Sequence, residues 1–281
     1  MITKFGDIPG DWNEGEILEF SVSPMKVKLS RRSIGERVPR QEVHPPLGKV
    51  MGISRKSRNQ MLKSFSELDF SPMFSTGTGP SLVTLTYPGR WKEVTPTGTT
   101  ANRHLNLFFL RFERAWGVKP MAFWVREFTE KGAPHFHIYL ALPGGLAGEP
   151  TRRAYEERLA SWQAGECDTR PRWKQPAGFG LTFPEWASRV WAEIVDHPDP
   201  AERSKHEKYG VHVARLGSGS EGEPAWMRAY FSKKFSSPKG YQLKVPELWK
   251  ESAESIGRSW SYRGLKRVGV TAEIPRRASI H

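Results

Sequence analysis

The stretch Glu127-Phe-Thr-Glu-Lys-Gly-Ala-Pro-His135-Phe-His137-Ile-Tyr-Leu-Ala-Leu142 sets two histidines two residues apart on an alternating segment, with a carboxylate just upstream. Strand side chains point alternately to two faces, so His135, His137, Tyr139 and Ala141 share one face and Phe136, Ile138, Leu140 and Leu142 the other. The second set is apolar throughout and predicts a core, which leaves the histidine face available. Divalent metals accept imidazole and carboxylate together, and two histidines with one carboxylate leave coordination positions open. Glu127 joins the histidines if the connection is a hairpin with an odd-length loop, because opposed residues share a face and a one-residue slip reverses it. A loop of roughly three or five residues is expected to oppose Glu127 to His137, with Gly132 supplying a positive φ. Glu130 is the fallback ligand. Taken alone, the same spacing also fits two half-buried surface histidines.

Outward from this stretch, Leu82-Val-Thr-Leu-Thr-Tyr87 alternates and stops at Pro88-Gly89, which reads as a strand closed by a turn. Leu105, Phe108, Phe109, Phe112 and Trp116 recur at helical spacing between the capping neighbourhood of Thr99-Thr100 and the stop at Gly117. Residues Met121 to Thr129 form a second strand that Lys131-Gly-Ala-Pro134 turns into the histidine strand. Residues from about 143 to 205 read as an insertion with helices around Arg152 to Trp162 and Pro184 to Val195. Tyr209 to Leu216 resumes as a strand, Gly217 to Gly222 is a loop, and Pro224 to Phe235 is a helix with Pro at its start. The order β-α-β-β … β-α predicts an α+β fold: a ferredoxin-like or RRM-like antiparallel sheet (split β-α-β) with helices on one face and a large insertion. Upstream, Ser54 to Asp69 reads as a short helix with Met61, Leu62, Phe65 and Leu68 on one side and a basic face opposite. Residues 1–53 are expected to be an irregular N-terminal arm, 54–267 the folded domain, and 268–281 a C-terminal tail.

The 43 Lys and Arg against 30 Asp and Glu give a formal +13 over 281 residues, an excess that attracts polyanions. Eleven tryptophans in so basic a chain serve either a core or stacking on unpaired bases. No apolar run approaches a membrane span, Met1-Ile-Thr-Lys-Phe-Gly-Asp7 leads into no apolar signal region, and the lone Cys167 has no internal disulfide partner. A soluble, cytoplasmic protein with no membrane partner is expected. No G-x-x-x-x-G-K-[ST] loop is present, so unwinding would fall to another protein.

In the helix Pro224 to Phe235, Met227, Phe231 and Phe235 form the apolar stripe, while Trp226, Tyr230, Lys233 and Lys234 cluster away from it. A free tyrosine has a pKa of about 10 and attacks well only where cations or a metal favour the phenolate, a task Lys233 is placed to serve. The bland alternative is an amphipathic tyrosine at the helix edge. Arg170-Pro-Arg172-Trp173-Lys174 and Arg258-Ser-Trp260-Ser-Tyr-Arg263 mix cations with aromatics and, with Lys234, are candidate contacts to an unpaired strand. The same tryptophans equally suit a core beside solvated arginines.

Leu82-Val-Thr-Leu-Thr-Tyr87, Arg126-Glu-Phe-Thr-Glu-Lys-Gly-Ala-Pro-His-Phe-His137 and Ala229-Tyr-Phe-Ser-Lys-Lys234 resemble, in this order, the three motifs of the HUH endonucleases, above all the rolling-circle replication initiators. The resemblance spans roughly Ser54 to Arg267, since Gly257 to Gly264 also looks like a tail these initiators carry. It implies that His135, His137 and Glu127 hold a divalent metal, Mn²⁺ or Mg²⁺, with imidazole ligation favouring Mn²⁺. It implies Tyr230 as nucleophile and Lys233 as its helper, nicking single-stranded DNA at a replication origin presented as a hairpin. The products would be a 5′-phosphotyrosyl DNA and a free 3′-hydroxyl, with later rejoining and with a host helicase and polymerase as partners. Where many relatives carry a second tyrosine this chain has Lys234, where hydrolytic relatives carry a glutamate it has Trp226, and Ser261 stands where a glycine is usual. The first of these departures removes a two-tyrosine mechanism, and the second speaks against termination by a hydrolytic base. Other readings are a relaxase or transposase of the same chemistry, and a non-catalytic single-stranded nucleic-acid-binding module. A non-haem iron oxygenase ranks last, because it leaves the basic charge and the Tyr-Lys pair without a role.

Overall fold

The computed structural model describes residues 16–24, 26–33, 54–75, 79–215, 242–252 and 256–274. In chain order these form the hairpin β1 (Glu16–Ser23) and β2 (Lys26–Ser33), then α1 (Arg55–Glu67) and the short α2 (Ser71–Phe74). The central run is β3 (Pro80–Thr86), α3 (Trp91–Val94), α4 (Gly98–Trp116), β4 (Ala122–Phe128) and β5 (Pro134–Ala141). It continues as α5 (Glu149–Gln163), α6 (Phe183–Val195), α7 (Pro200–Tyr209) and β6 (Val211–Arg215). Beyond these lie α8 (Glu247–Glu251), β7 (Trp260–Arg263) and β8 (Val270–Ile274).

The main sheet has the order β6-β3-β5-β4-β7, with every neighbouring pair antiparallel. The α+β class and the split β-α-β arrangement hold. The second crossover helix of the β-α-β-β-α-β unit is α6, not part of an insertion: Trp186, Val190 and Trp191 are fully buried in the main core. Of the helices in that stretch, α5 is the one with no buried residue.

One face of the sheet offers Val83, Leu85, Trp124, Phe136, Ile138 and Leu140 to α4 and α6. Leu105, Phe108, Phe109 and Phe112 of α4 meet them, and Trp186 packs edge-on against Trp116 with ring centroids 4.8 Å apart. Full burial of each such aliphatic or aromatic side chain contributes roughly 1.5–3 kcal/mol. The N-cap of α4 is Thr97, whose hydroxyl accepts from the Thr100 amide at 3.1 Å, two residues before the expected neighbourhood. Gly117 ends the helix in the left-handed conformation, at φ 70°.

Helices also cover the opposite face, which the expectation of one helical layer left open. Met61, Phe65, Phe70 and Met73 from α1, α2 and their junction pack on Phe123, Val125, Tyr139 and Ala141. The small second sheet, β2-β1-β8, joins residues expected to be an irregular arm to residues expected to be a tail, with Leu18 opposite Ile274 and Val22 opposite Val270. The α7 helix was not anticipated either. Asp199 caps it by accepting from the Ala201 amide at 2.8 Å, but its charged sequence shows no apolar stripe. No helix among the described residues is long and apolar enough to cross a membrane.

Candidate metal centre

The β4–β5 hairpin sets the site. Phe128 pairs with Pro134, leaving the connection Thr129 to Ala133, closed by the Thr129 amide on the Ala133 carbonyl at 2.8 Å, with Gly132 at φ 77°. The loop is odd, as expected, and it places Glu127 on the histidine face. The register differs from expectation by one pair: Glu127 lies opposite His135, and Val125 lies opposite His137. Glu130 is an exposed turn residue and takes no part.

Three of the rows of side chains that cross this face set the site. Leu82, Tyr139, Phe123 and Tyr262 form the row under α1 and α2, where Phe65 meets Phe123 at 4.7 Å and Phe70 meets Tyr139 at 5.6 Å between ring centroids. His212, Thr84, His137, Val125 and Trp260 form the second row, one residue from each strand. Thr86, His135 and Glu127 form the third, nearest the hairpin turn. The helices seal the first row, so the polar row is held beside a packed one.

Glu127 Oε2 lies 3.5 Å from Nε2 of His135 and 3.5 Å from Nε2 of His137, and the two Nε2 atoms are 3.2 Å apart. Donors held about 2.1 Å from one ion stand roughly 3.0–3.4 Å from their neighbours, so the spacing suits a shared cation. Among the described residues these three form the one group of ligand-type side chains close enough to hold a metal. Glu127 is 1% exposed, which makes its charge costly without a compensating cation or hydrogen bond. Thr84 Oγ1 is 3.2 Å from Nδ1 of His137. When that nitrogen donates to the hydroxyl, Nε2 keeps its lone pair for an ion. In the sequence Thr84 is visible as a motif residue but carries no sign of this task.

The helical layer fixes the third row from behind. The Thr86 carbonyl accepts from Trp191 Nε1 at 2.7 Å and from His206 Nε2 at 2.6 Å. Burial holds His206 below the ordinary histidine range, partly opposed by its bond to Thr86. Tyr87 Oη lies 3.0 Å from Nδ1 of His104, which burial, with Arg103 and His206 nearby, brings down to about 4. Arg126 turns to the other face and is 1% exposed. Its guanidinium donates to the Ile256 carbonyl at 2.6 Å, to Asn102 Oδ1 at 3.0 Å and to the Gly98 carbonyl at 3.3 Å. Burial lowers its pKa to about 10.

The other candidates scatter. Arg172 and Lys174 are exposed, but Trp173 is half-buried, donating to Thr151 Oγ1 at 3.3 Å and stacking on Tyr155 of α5 at 6.2 Å. This group is not brought to the triad. Trp260 lies in the His137 row, stacked on Phe123 at 6.3 Å with Nε1 donating to Ser57 Oγ at 3.1 Å. Arg258 is exposed, and Arg263 sits 5.0 Å over the Phe109 ring and donates to Asn106, on the α4 side. Tyr230, Lys233 and Lys234 lie outside the described residues. The described chain resumes at Gln242, whose carbonyl accepts from the Phe128 amide at 3.1 Å, one residue from Glu127.

Residues 80–183 match the family model for the replication-associated protein ORF2. No curated protein and no solved structure matches the chain. The matched stretch starts at the first residue of β3, ends at the first residue of α6, and contains Thr84, Glu127, His135 and His137. The segment that builds the triad thus matches a replication-associated protein family, a likeness consistent with a rolling-circle replication initiator.

Proposed function

We propose that the chain is a replication initiator that nicks single-stranded origin DNA by tyrosine transesterification. The observation that carries this reading is the convergence of Glu127, His135 and His137 on one point, inside the segment that matches a replication-associated family. A divalent ion bound there, Mn²⁺ or Mg²⁺, would supply Lewis-acid polarisation of the scissile phosphate. Glu127, His135 and His137 are the residues that would hold it.

Tyr230 is the nucleophile in this reading. Its phenolic oxygen forms the new bond to phosphorus as the bond from phosphorus to the 3′-oxygen breaks. The phenol gives up its proton, the departing 3′-oxygen takes one up, and the phosphodiester is exchanged without loss of its bond energy. Lys233 offsets charge on the phenolate and the phosphate. Trp260, in the same row as His137, and exposed Arg258 are the contacts best placed for the unpaired strand. Lys234 in place of a second tyrosine limits the chain to one covalent attachment at a time. The family match favours an initiator over a relaxase or transposase.

The test is a denaturing gel after incubating the full chain with single-stranded DNA of random sequence and Mn²⁺. A covalent adduct is expected in the wild type and lost with EDTA or in Glu127→Ala. An adduct that persists under either condition would contradict the metal-dependent mechanism.

A further inference from the structure

Beside the hairpin turn lies a cavity of about 290 Å³ that the triad does not use. Three segments distant in sequence converge on it: α3, the β4–β5 connection, and the stretch leading into α8. Each brings one lysine, Lys92, Lys131 and Lys244, all exposed and none in an ion pair with another described residue. The cavity's apolar lining is made by Val245, Pro246, Leu248 and buried Trp91. Gly132 contributes to this openness: a Cβ there would stand 3.6 Å from the Trp91 ring and 3.8 Å from Pro246. Two carboxylates complete the rim. Glu247 is engaged by Lys250 at 2.7 Å, whereas Glu130 has no such partner among the described residues.

Three ammonium groups around an apolar lining suit a ligand with one anionic end and one flat apolar end. A volume near the roughly 300 Å³ at which small-ligand pockets begin holds one such unit, not several. The cavity is also close to the triad. Thr129, on its wall, is two residues beyond Glu127, about 7 Å along the strand.

Building on the nicking function proposed above, we infer that this cavity binds one unpaired nucleotide of the DNA strand, next to the phosphodiester held at the triad. The lysines take its phosphate, and the base lies on Pro246 and Leu248. Glu130 accepts a hydrogen bond from an exocyclic amine of the base, the pairing a carboxylate makes with cytosine N4. The cavity therefore prefers an amine-bearing base over thymine.

The experiment measures binding of fluorescent oligo(dC) and oligo(dT) to the full chain across a salt series, with Mn²⁺ affinity measured separately by calorimetry. In the triple variant Lys92→Ala, Lys131→Ala, Lys244→Ala the slope of log Kd against log salt is expected to fall by about 0.7 to 1, the share of one phosphate. Mn²⁺ affinity is expected to stay as in the wild type. Glu130→Leu is expected to remove the preference for oligo(dC) without changing the salt slope. An unchanged slope in the triple variant, or an undiminished preference in Glu130→Leu, would overturn the inference. A wild type that binds Mn²⁺ but no single-stranded DNA would instead overturn the nicking function, and the cavity's role with it.

Discussion

Thr84 Oγ1 lies 3.2 Å from Nδ1 of His137, so a hydroxyl on β3 decides which nitrogen of a β5 histidine faces Glu127. Partners of this kind hold ring orientation and tautomer, and their loss typically costs about 10–100-fold in metal affinity. Thr84→Val, which keeps the shape and removes the hydroxyl, is expected to weaken Mn²⁺ binding by about that factor, and Thr84→Ser to restore most of it. Calorimetric titration with Mn²⁺ distinguishes this from a packing role, in which valine would bind as well as threonine.

Arg126 joins β4 to the start of α4 and to Ile256 through three acceptors and also lies 5.0 Å over the Trp249 ring. A single ammonium does not reproduce a guanidinium fork. Arg126→Lys and Arg126→Met are both expected to destabilise the fold by on the order of 3 kcal/mol, since each leaves buried acceptors unpaired. Urea unfolding measures this; a methionine variant as stable as wild type would show that the arginine is dispensable.

The His104 site makes stability depend on pH in a defined window. Its pKa is about 4 in the folded chain, against about 6.5 in an unfolded one. Above pH 6.5 both states are neutral there and the contribution is fully present. As pH falls toward about 4 the unfolded state takes up a proton that the folded state refuses, and stability drops by about 1.4 kcal/mol per pH unit. His206, also held down by burial, acts in the same direction. Unfolding midpoints of wild type and His104→Gln between about pH 7 and 4 are expected to converge as the pH falls; parallel curves would contradict the assignment.

The triad and the two strands that carry it were legible because the information is local. Period-two alternation gave the faces, and loop parity put Glu127 with the histidines. Parity does not fix which opposed pair forms, which is why His135 rather than His137 faces Glu127. Elements whose stabilising partners are far away in sequence were not legible. The β1 strand pairs with β8, about 250 residues on, and its alternation at Leu18, Phe20 and Val22 is set among Glu16 and Glu19. Trp186 and Trp191 look the same in an insertion helix as in a core helix, and only the packed sheet separates them. The convergence of Lys92, Lys131 and Lys244 likewise exists only after folding.

The most direct test of the central claim is to isolate the peptide that carries DNA. After reaction of the full chain with single-stranded DNA and Mn²⁺, nuclease trimming, proteolysis and mass spectrometry locate the attached nucleotide. The expected result is a 5′-linked nucleotide on Tyr230 and none in Tyr230→Phe. A nucleotide on another residue, or none in the wild type, would contradict the account.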